Sequence, residues 1–64
     1  MENARHRQIV EAGGGHYVPG MLGDLVLFNS PRTGTTLAVE EKYLTVEVVK
    51  TKIFASDREF EKYR

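Results

Sequence analysis

The chain has 64 residues and 7.3 kDa, with nine Lys and Arg against nine Asp and Glu, no Cys and no Trp. This excludes several folding domains, a disulfide scaffold and a thiolate zinc finger. A domain this small buries only about 60% of its unfolded surface and commonly needs a staple such as a disulfide, a metal or oligomerisation. His6 and His16 stand ten residues apart, and Glu2, Glu11 and Asp24 give them no tight ligand spacing. No metal and no cofactor is therefore expected, and oligomerisation is the staple that remains.

Residues Glu2–Ala12 are polar, with Ile9 and Val10 near the end. Asn3 suits the cap of a short helix over 3–12 that Gly13 ends, although a lone helix of this length is marginal in water and the stretch also reads as an unstructured arm. Gly13-Gly14-Gly15 followed by Pro19-Gly20 reads as linker and turn. The expected organisation is an N-terminal arm and Gly-rich linker over 1–20, then a small α+β domain over 21–64.

Asp24–Asn29, DLVLFN, is short, apolar and bounded by turn residues, as a buried strand is. Ser30–Thr35 carries Pro31 and Gly34, which suit a tight loop of about four residues. Thr36–Glu40 follows as a second strand, with Leu37 and Val39 on one face and Ala38 and Glu40 on the other. These pieces predict a β-hairpin.

From Leu44 onward the β-branched residues favour a strand, but Val46, Val49, Ile53, Ser56, Phe60 and Tyr63 recur at intervals of 3, 4, 3, 4 and 3. That is helical spacing. Thr45 suits the N-cap, Leu44 can staple onto Val49, and Glu47, Lys62 and Arg64 match the helix dipole. The expectation is a helix from about Val46 to beyond Asp57. Ser56-Asp57-Arg58-Glu59 is itself a capping-box pattern, at which the helix can break into two pieces, and a strand over 45–54 is the alternative. Phe54 lies off the seam and is expected to face the hairpin with Ala55, with contact to another subunit as the alternative.

The predicted fold is thus α+β: a small hairpin and a C-terminal helix (ββα), completed by oligomerisation. A two-stranded hairpin is not stable alone, and its first strand is apolar on both faces. A second copy could cover the open face by pairing hairpin edges or by packing helices along Val46, Val49, Ile53 and Phe60.

One stretch resembles a known motif. Phe28–Leu37, FNSPRTGTTL, is similar to the strand and phosphosulfate-binding loop that opens the sulfotransferase fold, where Pro-[Arg/Lys]-[Ser/Thr]-Gly-Thr-Thr holds the 5′-phosphosulfate of the sulfate donor. The resemblance implies phosphate binding by Arg32, Thr33, Gly34, Thr35 and Thr36. It covers ten of 64 residues. The family's parallel sheet is several times larger than this chain, and nothing here supplies its second phosphate site or catalytic base. The residues themselves read as an ordinary hairpin turn.

No nucleophile, base and carboxylate stand at catalytic spacing, so the chain is not expected to be an enzyme. Zero net charge argues against nucleic acid, for which Arg5, Arg7, Arg32, Lys50 and Lys52 would supply the phosphate contacts. No apolar run approaches the roughly 20 residues of a membrane span, and residues 1–7 lack the apolar core of a signal peptide. A cytoplasmic, non-catalytic interaction or assembly module that associates with itself is the leading expectation. Small nucleic-acid-binding protein and anion binder through Ser30–Thr36 are the alternatives.

Overall fold

Asn3 begins the first helix as its residue type suggests: its side chain accepts from the backbone N–H of Arg5 and His6 at 3.0 and 3.1 Å. In the computed structural model, which describes residues 3–62, this helix is α1 (Ala4–Ala12). There follow β1 (His16–Leu22), β2 (Leu25–Asn29), β3 (Thr36–Glu40), a single 3₁₀ turn over Glu41–Tyr43, and α2 (Val46–Lys62). The strands form one antiparallel sheet in the order β1-β2-β3. Tyr63 and Arg64, the last members of the predicted seam and basic turn, lie outside the described residues, as do Met1 and Glu2 of the predicted arm.

The α+β class holds, but the ββα outline is corrected to αβββα. The boundary expected at residue 21 falls inside β1, and residues 16–20 are strand rather than linker. Pro19 and Gly20 conceal this strand because they occupy its irregularity: pairing with β2 is regular at His16–Val18 and resumes only at Met21. Edge strands tolerate proline at such a bulge.

The three consecutive glycines also have a packing role. Gly13 and Gly15 are buried. A Cβ on Gly13 would lie 2.6 Å from Val49 Cγ1, and one on Gly15 would lie 3.0 Å from Phe28 and 3.1 Å from Val10. Gly14 between them has φ +91°. The chain leaves α1, presses against α2 and enters the sheet within three residues, and side chains would block that path.

In α2 the helical spacing prevails over β-branching, and the alternative of a strand over 45–54 is set aside. The Val48 N–H donates to Thr45 Oγ1 at 3.1 Å, which is the predicted cap, and Leu44 is buried against the core. The helix runs unbroken through Ser56 to Lys62. At about 1.5 Å per residue it outreaches five-residue strands rising about 3.4 Å each, so its last turns overhang the sheet.

The core is Val10 of α1, Val26 and Phe28 of β2, Val39 of β3, Leu44, and Val49 of α2, with Tyr17, Leu37, Val48 and Ile53 packed around it. Both helices therefore cover the same face of the sheet. The accessible surface of 4462 Å² is near the roughly 4,200 Å² expected of a compact monomer of this mass. α1 and β1 supply within the chain much of the cover that a hairpin and one helix alone would have lacked.

Candidate functional site

The strand register places every side chain of the uncovered face. Val18, Leu27 and Ala38 are direct neighbours across β1, β2 and β3. On one side of this row lie His16, Asn29 and Thr36, with Thr36 Oγ1 donating to Asn29 Oδ1 at 2.9 Å. On the other side lie Leu22, Leu25 and Glu40. The core residues of the same strands, Val26, Phe28 and Val39, alternate with these and point to the helices. Leu22 is 68% exposed, while Val18, Leu25, Leu27 and Ala38 are half-buried, flanked by their neighbours in the sheet. The outer face thus carries five apolar residues, and Glu40 beside them pairs with Lys42 at 3.6 Å.

The predicted seam divides differently. Val49 is wholly buried within the chain and Ile53 packs against the core, so these two positions are used internally and Val49 has no surface to offer a second copy. Val46 is half-buried. Phe60 is 48% exposed because it lies on the overhanging end of α2, where the sheet no longer reaches. Phe54 is a correction: it does not face the hairpin but is 63% exposed, with the Arg58 guanidinium 5.7 Å from its ring centre.

The loop Ser30–Thr35 is tied to itself and to α2. The Gly34 N–H donates to Ser30 O at 2.8 Å, the Ser30 N–H to Thr35 O at 2.9 Å, and the Thr35 N–H to Thr33 Oγ1 at 3.2 Å. Gly34 takes φ +75° to close this turn. Ser30 continues the inward alternation of Val26 and Phe28, is fully buried, and donates its hydroxyl to Asp57 Oδ1 at 2.9 Å. Arg32 pairs with Glu61. Arg32, Thr33, Gly34 and Thr35 thus lie together as predicted, but two of their amides already donate inside the turn and their one cation faces a carboxylate. The segment after the loop is strand β3, antiparallel to β2, where the sulfotransferase motif requires a helix.

A second polar contact carried no signal in the sequence. His6, 2% exposed, meets Glu41 with 2.7 Å between Nε2 and Oε2, and Tyr17 stands edge-on to its ring. An ionised carboxylate only accepts, so Nε2 carries the hydrogen and Nδ1 is left buried with no partner. The contact joins α1 to the 3₁₀ turn across 35 positions of sequence. Residues so distant, both of types that read as solvated surface, give no local pattern that would pair them. His16 stands at the exposed edge of the outer face, and among the described residues no cluster of three His, Cys, Asp or Glu could hold a metal.

No helix among the described residues is long and apolar enough to cross a membrane. Comparison with protein-family models, curated protein sequences and solved structures yields no match for this chain.

Proposed function

We propose that the chain is a non-catalytic interaction module that associates with itself through the outer face of its sheet. The observation that carries this reading is the row Val18–Leu27–Ala38, flanked by Leu22 and Leu25, on the face opposite the one that α1 and α2 cover. Contiguous apolar surface marks interaction sites more often than isolated apolar residues do, and here one residue is exposed and four are half-buried. A second copy fits because a two-fold axis in the plane between two such sheets sets Leu27 against Leu27. It brings no unpaired charge into the contact, since Glu40 is already matched by Lys42. Two chains of zero net charge also meet without long-range repulsion.

The size of the face sets the strength. Three strands spaced about 4.8 Å apart, with five residues rising about 3.4 Å each, span about 14 by 17 Å. That is smaller than a standard interface, which buries about 800 Å² on each partner. The association is therefore expected to be weak and concentration-dependent rather than obligate.

Isotope-filtered NMR on a mixture of labelled and unlabelled chain tests this reading. Contacts between copies at the methyl groups of Val18, Leu25 and Leu27 are expected. Intermolecular contacts confined to Phe54 and Phe60 would move the interface to α2, and their absence at millimolar concentration would reject self-association.

A further inference from the structure

We propose that the groove between the free edge of β3 and α2 binds an extended, acidic polypeptide segment of another protein as a fourth strand. The strand order leaves β3 and β1 as edges, and the two edges differ. β1 is blunted by Pro19, which has no N–H, and by the break in pairing between Val18 and Met21. β3, Thr-Leu-Ala-Val-Glu, has neither proline nor bulge along its five residues. One side of it pairs with β2, and among the described residues no strand pairs with the other. Such an edge offers about half of its N–H and C=O groups to an incoming strand.

Beside this edge the surface is concave. A cavity of about 490 Å³ lies between Leu37 and Ala38 on β3 and Lys52, Ala55, Ser56 and Glu59 on α2. A second of about 290 Å³ continues it past Leu25, Val39, Glu40, Tyr43 and Val48, and Ala38 and Lys52 border both. The small side chains of Ala55 and Ser56 leave room for a strand between sheet and helix. Lys52 stands at its middle, with Leu37 and Ala55 on one side and Val39 and Val48 on the other, and Glu59 and Glu40 lie toward its two ends.

The charge selects the occupant. Glu59 is paired with Lys62 at 3.7 Å and Glu40 with Lys42, whereas Lys52 forms no ion pair among the described residues. The groove therefore has one uncompensated ammonium at its centre. A strand laid along β3 turns every second side chain toward the groove, so the matching pattern is apolar, acidic, apolar at alternate positions. A second copy fits less well. Antiparallel pairing of β3 with itself, centred on Ala38, brings the two Lys52 ammonium groups together with no free carboxylate between them. Leu25 and Ala38 border both this groove and the outer face, whereas Leu27 borders the outer face alone, so a change at Leu27 separates the two contacts.

The test is an NMR titration of the full 64-residue chain with the blocked heptapeptide Thr-Val-Thr-Glu-Thr-Val-Thr. Saturable shifts are expected in the amides of residues 36–40 and at Lys52, Ala55 and Ser56. Replacing the central Glu of the peptide by Lys should weaken binding at least tenfold, and Lys52→Glu in the protein should reverse that preference. N-methylation of alternate peptide residues should abolish binding. Leu27→Lys, which tests self-association, should leave peptide binding unchanged. The proposal is overturned by no shift at millimolar peptide, by equal binding of the Glu and Lys peptides, or by shifts confined to Val18 and Leu27. It is also overturned if the amides of 36–40 still shift on dilution of the Leu27→Lys chain without peptide, which would assign the edge itself to a second copy.

Discussion

Gly13 touches Val49 so closely that a methyl group at residue 13 would sit 2.6 Å from Val49 Cγ1. This contact is where α1 crosses α2, and it accounts for a glycine that composition alone assigns to a flexible linker. Overpacking a buried contact costs about 1–3 kcal/mol. Gly13→Ala should therefore lower the unfolding free energy by an amount in that range, seen as a lower urea midpoint with an unchanged slope. A variant as stable as the parent would show that residues 13–15 are a linker after all.

Ser30 and Asp57 make the second prediction. The buried hydroxyl loses its acceptor in Asp57→Ala, and a buried polar group left unpaired costs about 1–3 kcal/mol. Ser30→Ala removes the hydroxyl itself, leaves the half-buried carboxylate reachable by water, and should cost less. The order of the two melting temperatures checks this. Equal stability of Asp57→Ala and the parent would mean the loop is not held to α2 through this bond.

His6 and Glu41 make the third prediction. Glu41→Ala strands the buried Nε2–H, again at about 1–3 kcal/mol, whereas Glu41→Gln keeps an oxygen that can accept and should lose less. A long-range ¹H–¹⁵N spectrum should show the hydrogen on Nε2. A hydrogen on Nδ1 would contradict the assigned geometry.

The loop amides lead to a prediction about anions. Gly34 and Thr35 already donate within the turn, and Arg32 faces Glu61 across a half-exposed gap. Millimolar phosphate or sulfate should leave both amide resonances in place. Arg32→Ala should change stability by no more than about 1 kcal/mol, as exposed ion pairs do. Saturable movement of the Gly34 and Thr35 amides would restore the anion-binding alternative.

These contacts show which parts of the fold the sequence made legible. Helical spacing from Val46, the Thr45 cap, the Asn3 cap and the β2–β3 hairpin are local patterns, and each is present in the structure. β1 was hidden because Pro19-Gly20 is a turn signal that here marks a bulge, and Gly13-Gly14-Gly15 because close packing and flexibility call for the same residue. The outer face was half legible. Leu25 and Leu27 announced a strand apolar on both sides, but only the register shows Val18 and Ala38 beside Leu27. The contacts of His6 with Glu41 and of Ser30 with Asp57 span 35 and 27 positions and had no local trace.

Self-association through the outer face is tested most directly by the mass of the chain in solution against concentration. Sedimentation equilibrium from micromolar to millimolar should show the 7.3 kDa chain rising toward twice that mass. Leu27→Lys should remain at 7.3 kDa throughout with an unaltered melting temperature, because Leu27 lies outside the core. A single-chain mass at every concentration, or a dimer that Leu27→Lys does not weaken, would contradict the account.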